Sequence, residues 1–140
     1  MDYFRLIDML PRKMRATLKR DLKCGMLEIK KAPRKEITKI YEDATGDPDY
    51  WVNGLTIYYP RDPEKITIYV SSSIYKRNRE KFYETLAHEM THAFQYRKEF
   101  EWVCENYDVE YEDNPIEKEA IRNERRVGKI LKGGKCEEQV

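Results

Sequence analysis

The sequence predicts an α+β domain, and three observations predict it. A strong helical pattern runs through residues 78–98. Two β-branched and aromatic runs, LTIYY at 55–59 and ITIYV at 66–70, precede it, separated by a hairpin-length loop at 60–65. A further helical pattern follows at 115–131, opened by Asn114-Pro115, a cap and a first-turn proline. The 140 residues suit one domain, taken as 1–132, with a flexible tail at 133–140.

The remaining elements follow in order. Leu6, Met9, Leu10, Met14, Leu18 and Leu22 recur at spacings of three to four. Residues 3–23 are therefore expected to be helical, divided or bent at Pro11, with Gly25 as the stop. Residues 26–31 alternate and read as a short strand. Pro33 can open a second helix to about Ala44, closed by Thr45-Gly46-Asp47-Pro48. Ser71–Ser73 offers capping hydroxyls. Residues 101–114 are acidic and aromatic without a period and read as a loop. Gly133-Gly134 end the last helix, and the segment after them reads as a frayed tail.

Composition excludes several classes. Hydrophobic residues make up 40% and charged residues 38%, so one modest core is expected beneath long charged side chains. Twenty-seven basic and 26 acidic side chains leave a net charge of +1, which gives no general attraction to nucleic acid or anionic membrane. The basic residues around Arg12, Lys13, Arg15, Lys19, Arg20 and Lys23 read as a solvated helix face. No apolar run approaches the ~20 residues that span a bilayer, and the first residues do not form a signal peptide. Cys24, Cys104 and Cys136 are odd in number and form no CxxC pair, so free thiols in a reducing, cytoplasmic setting are expected.

The chemistry concentrates in LAHEMTHAF, which contains His88, Glu89 and His92. Residues four apart on a helix stand one turn above each other, so two imidazoles can grip one metal ion. Glu89 between them can take a proton from a water at that ion. Phe82, Leu86, Met90, Ala93 and Phe94 gather on one helix face, and the two histidines fall roughly opposite. These are the only two histidines of the chain. Random placement would give this spacing with a glutamate after the first in roughly one case in six hundred, which favours a built site over coincidence.

LAHEMTHAF resembles the active-site helix of the zincin metallopeptidases. ITIYV resembles the strand that borders their substrate cleft as a sheet edge. The resemblance implies a short mixed sheet packed on helices, a Zn2+ ion and water-mediated peptide hydrolysis. His88 and His92 are then metal ligands and Glu89 the catalytic general base.

A catalytic zinc usually has three protein ligands and one open position. Without a third histidine the metzincin and SprT-like patterns do not apply, so a carboxylate is expected, unless a cysteine substitutes. On the last helix Glu117 and Glu119 flank the apolar face at about equal angles on opposite sides, and helical geometry does not choose between them. The segment Glu117-Lys118-Glu119-Ala120 resembles the ExEA segment of small gluzincin-like proteins, the minigluzincins and the ImmA/IrrE family. That resemblance implies Glu119 as the third metal ligand. It also makes Asn123, four residues on, the hydrogen-bond partner of the first zinc histidine in place of the usual aspartate.

The expected function is a zinc-dependent metallopeptidase acting on a peptide or protein, with a catalytically inactive zinc-stabilised binding module as the alternative. Neither membrane nor nucleic acid is expected as a partner. Tyr96, Tyr107 and Tyr111 are candidates to stabilise the oxyanion, although packing aromatics explain each more simply. A Cys136 thiolate could occupy the open position, but a disordered tail accounts for that segment more simply.

Overall fold

The computed structural model describes residues 1–47, 52–59 and 62–133. Gly134 and Cys136 lie outside the described residues, as do Pro48, Pro60 and Arg61. The architecture is α+β. Helices α1 (Tyr3–Ile7) and α2 (Arg12–Cys24) lead into β1 (Leu27–Ala32) and α3 (Arg34–Thr45). The hairpin strands β2 (Gly54–Tyr59) and β3 (Asp62–Ser71) follow. The chain then runs through α4 (Ser72–Arg77), α5 (Arg79–Lys98), α6 (Phe100–Asn106) and α7 (Pro115–Leu131).

Local chemistry explains most boundaries. Pro11 divides the N-terminal helical pattern, and Gly25 ends α2 in the left-handed conformation, φ 78°. Gly46 ends α3 in the same way. Asn78 caps α5 by accepting from the Lys81 amide at 3.1 Å. Asn114 caps α7 by accepting from the Ile116 amide at 2.9 Å, and its own amide group donates to the carbonyls of Asn106 and Val109.

The sheet has the order β1-β3-β2, with β1 parallel and β2 antiparallel to β3. The strand carrying residues 66–70 is therefore central, not the edge that its resemblance implied. Ile66, Ile68 and Val70 are almost wholly buried and alternate with the partly exposed Thr67 and Tyr69, so one face of this strand packs into the core. The edge beside α5 is β2. Its residues Gly54, Thr56 and Tyr58 pair with Val70, Ile68 and Ile66, and so stand on the same sheet face as those core residues.

Residues 101–114 are not all loop. Helix α6 occupies the first part, continuing from α5 after a kink at Glu99. Val103 alone of its residues is buried, so the segment carries no helical period for a sequence reading to find. The short helix α4, capped by Ser71, was likewise not expected.

Helix α5 runs through the middle of the molecule. Phe82, Leu86 and Met90 are fully buried against the sheet and the N-terminal helices. Its far side is also covered, because α7 crosses it and β2 lies beside it. Buried Asp21 of α2 pairs with Arg97 of α5 at 2.8 Å, and Arg97 also donates to the Glu64 carbonyl at 2.8 Å. This joins α2, α5 and the start of β3. Ile68→Ala, at the centre of the sheet, is expected to cost about 2–5 kcal/mol, measured by chemical denaturation with an unchanged m-value.

Candidate metal centre

Three elements build the cleft. Helix α5 supplies His88, Glu89, His92 and Tyr96, β2 supplies Gly54, Leu55 and Thr56, and α7 supplies Glu117. Tyr41 of α3 and Tyr111 of the turn before α7 complete its wall, and its volume is about 330 Å³. The histidines are not on a solvated face. His92 is 8% exposed and Glu89 also 8%, since α7 and β2 cover the side of α5 that faces away from its aliphatic stripe.

Glu117, and not Glu119, meets the histidines. Its Oε1 lies 3.2 Å from His88 Nε2 and its Oε2 3.1 Å from His92 Nε2. His88, His92 and Glu117 form a group that can hold a metal ion, their ligand atoms all within 4.8 Å of one another. Glu119 points to the other flank of α7, where it accepts from Lys13 Nζ at 3.0 Å and from Gln95 Nε2 at 2.8 Å. The two glutamates stand about 200° apart around the helix. Which one reaches the cleft depends on the side on which α7 passes α5, a tertiary choice.

The histidine that Asn123 was expected to support is held by another residue. Glu124 Oε1 lies 2.9 Å from His88 Nδ1. Glu124 follows Glu117 by seven residues, so the two stack on one face of α7. Asn123 is buried and donates to Thr91 Oγ1 at 3.0 Å and to Met14 Sδ at 3.5 Å. Sequence reasoning missed Glu124, Gln95 and Thr56. The seven-residue spacing of Glu117 and Glu124 was the available signal for the first, and the i+3 relation of Gln95 to His92 for the second.

The donor set fits a divalent cation. Carboxylate Glu124 holds a proton on His88 Nδ1, so the proton a cation would displace is the one on Nε2, the atom that faces Glu117. His92 Nδ1 likewise has a partner, Gln95 Oε1 at 2.8 Å. Burial alone would favour neutral imidazoles. Hydrogen bonds to Glu117 and Glu124 and the field of Glu89 outweigh burial and push the His88 pKa up to about 10. His92 is raised as well, against strong burial, by Glu117 and Glu89. Burial also opposes ionisation of Glu117, yet its bonds to both imidazoles bring it down to about 2. Three carboxylates around two imidazoles therefore make a pocket that demands positive charge.

Glu89 stands apart from this group. The Thr56 hydroxyl lies 2.8 Å from Glu89 Oε1 and 3.0 Å from the Glu89 carbonyl oxygen, donating to one at a time. Gly54 makes this approach possible. A Cβ there would come within 2.8 Å of Thr85 Cγ2 and 3.0 Å of Glu89 Cγ. The phenol of Tyr96 is pushed up to about 12, by burial first and then by the charges of Glu89 and Glu117, so it stays a hydrogen-bond donor across the neutral range. Tyr107 is 73% exposed and is not among the cleft residues.

Comparison with protein-family models, curated proteins and solved structures returns no match. Among the described residues no helix is long and apolar enough to cross a membrane.

Cation uptake here must displace protons held by the imidazoles. Both histidines are raised, His88 to about 10, so their protons compete with a cation, which binds better as pH rises. Affinity is expected to increase roughly tenfold per pH unit for each proton released, about one to two protons between pH 6 and 8. The gain ends as pH passes the His88 value of about 10. Titration calorimetry in buffers of different ionisation enthalpy measures this release, and pH-independent affinity would contradict the assignment.

Proposed function

We propose that the protein is a zincin-type, gluzincin-like metallopeptidase that holds one zinc ion through His88, His92 and Glu117. The observation that carries this reading is the convergence of both Nε2 atoms on the Glu117 carboxylate, with Glu89 in the same cleft and bonded elsewhere. Two imidazoles and one carboxylate match the ligand count of a catalytic zinc, which keeps one position open. Such an ion supplies Lewis acidity, lowering the pKa of water toward ~7 and polarising a carbonyl.

The chain's own groups do the rest. Glu89 accepts a proton from the attacking water and delivers it to the departing amine, so the carboxylate is regenerated. Thr56 occupies Glu89 Oε1 and holds the carboxylate's orientation. Tyr96 keeps its proton and, like Tyr111, lines the cleft; one turn beyond His92 on the same helix, it is the candidate to donate to a developing oxyanion. An extended peptide would add to the edge of β2, the strand beside Glu89.

The experiment is a metal analysis joined to a broad peptide-cleavage screen. Wild type is expected to carry one zinc and to cleave. Glu89→Gln is expected to keep the zinc and lose ~10²–10⁴-fold or more of the rate, and Glu117→Ala to lose the zinc. Zinc retained without any cleavage would instead indicate a binding module. A Glu89→Gln variant of near-normal rate would remove Glu89 from the mechanism.

A further inference from the structure

The side of His92 away from the cleft is backed by a chain of side chains that the proposed hydrolysis does not use. Gln95 is fully buried. Its Nε2 group donates to the Ile116 carbonyl at 3.1 Å and to Glu119 Oε1 at 2.8 Å. Both partners can only accept, so both N–H bonds of the amide are committed and its carbonyl oxygen must be the atom facing His92. An oxygen 2.8 Å from His92 Nδ1 can only accept, so the proton of the neutral ring lies on Nδ1 and the lone pair on Nε2. The outer end of the chain is anchored as well. Lys13 Nζ of α2 donates to Glu119 Oε2 at 3.0 Å and to Glu99 Oε2 at 3.4 Å.

We propose that Gln95, Glu119 and Lys13 form a positioning relay that locks the His92 ring with its Nε2 lone pair toward the metal ion, a role resting on the metal-centre reading above. An amide has two nearly equal orientations, and only one suits a ligand histidine. Glu119 selects it. Were the amide flipped, its carbonyl oxygen would oppose the carboxylate and its N–H would face His92 Nδ1, which favours the tautomer protonated on Nε2. Lys13 offsets the charge of Glu119, whose side chain is only 16% exposed. The relay gives the ExE segment two separate tasks, with Glu117 at the ion and Glu119 holding the residue that holds His92. It also makes α2, an element outside the cleft, part of the ligand geometry.

The test uses the full chain with Co2+ and Zn2+ as probes, in wild type, Glu119→Ala, Glu119→Gln and Lys13→Met. Cobalt spectra and competition with a chromophoric chelator give geometry and affinity. The 15N shifts of the His92 ring give its tautomer, and thermal unfolding gives stability. Glu119→Ala is expected to weaken metal binding ~10–100-fold, to alter the cobalt spectrum and to mix the His92 tautomers. Glu119→Gln should recover part of the loss, because its carbonyl can again accept from Gln95, and Lys13→Met should lie between wild type and Glu119→Ala. Wild-type affinity, spectrum and 15N shifts in Glu119→Ala would overturn the relay, as would a fall in melting temperature alone with the folded protein's cobalt spectrum intact. A wild type that takes up no ion would instead overturn the metal-centre reading. The His92 Nδ1 proton resonance then still decides the relay, since exchange protection lost in Glu119→Ala supports it and protection retained overturns it.

Discussion

The crossing of α7 over α5 is the constraint on which the rest depends. A helix buried on one side by aliphatic residues ordinarily leaves its other side to water. Here the second side is covered too, and its polar groups must find partners within the protein. Ala120, with no exposed surface, allows the close approach. Gly128 does the same further along, where a Cβ would stand 3.0 Å from the Glu84 carboxyl carbon. With α7 packed on α5 through these small residues, its flanking side chains are sorted. Glu117 and Glu124 fall toward His88, and Glu119 falls toward Gln95 and α2.

The second contact surface of α5 sets the chemistry of Glu89. Strand β2 comes so near that a glycine is needed at 54 and a hydroxyl at 56 can reach the carboxylate. One helix turn thus carries two kinds of acid–base group. His88 and His92 are tied to carboxylates on α7, while Glu89 is tied to a neutral hydroxyl on β2. Glu89 thus takes its hydrogen bond from β2 and acts on the imidazoles through its charge, although it stands between them in the chain.

Much of this was legible in the sequence, for local reasons. His88, Glu89 and His92 share a cleft because a 3.6-residue helix requires it. Asn114, Gly25 and Gly46 mark helix ends because capping is decided within a few residues. What escaped was set by elements distant in sequence. Strand order depends on β1 adding beside β3, and nothing within ITIYV announces two neighbours. Glu117 and Glu119 are equivalent on a helical wheel until the passing side of α7 is known. Thr56 and Glu124 contact their partners across 33 and 36 residues, beyond any local pattern. Helix α6 is held by tertiary packing of Val103 and by its continuation from α5, not by an amphipathic period of its own.

The bond between Lys13 and Glu119 spans 106 residues. Closing so long a loop carries an entropic penalty that the rest of the fold must offset, so this bond depends on the docking of α7 against α2. A chain emerging from synthesis presents the two imidazoles of α5 well before α7 exists, and two nitrogen donors on a lone helix hold a cation weakly. The carboxylate arrives with α7, and the brace on His92 arrives when α7 docks against α2. In the proposed metal centre the full ligand set is therefore acquired together with the completed tertiary structure. By mass action, whatever stabilises the filled cleft also stabilises the junction of the first and last long helices.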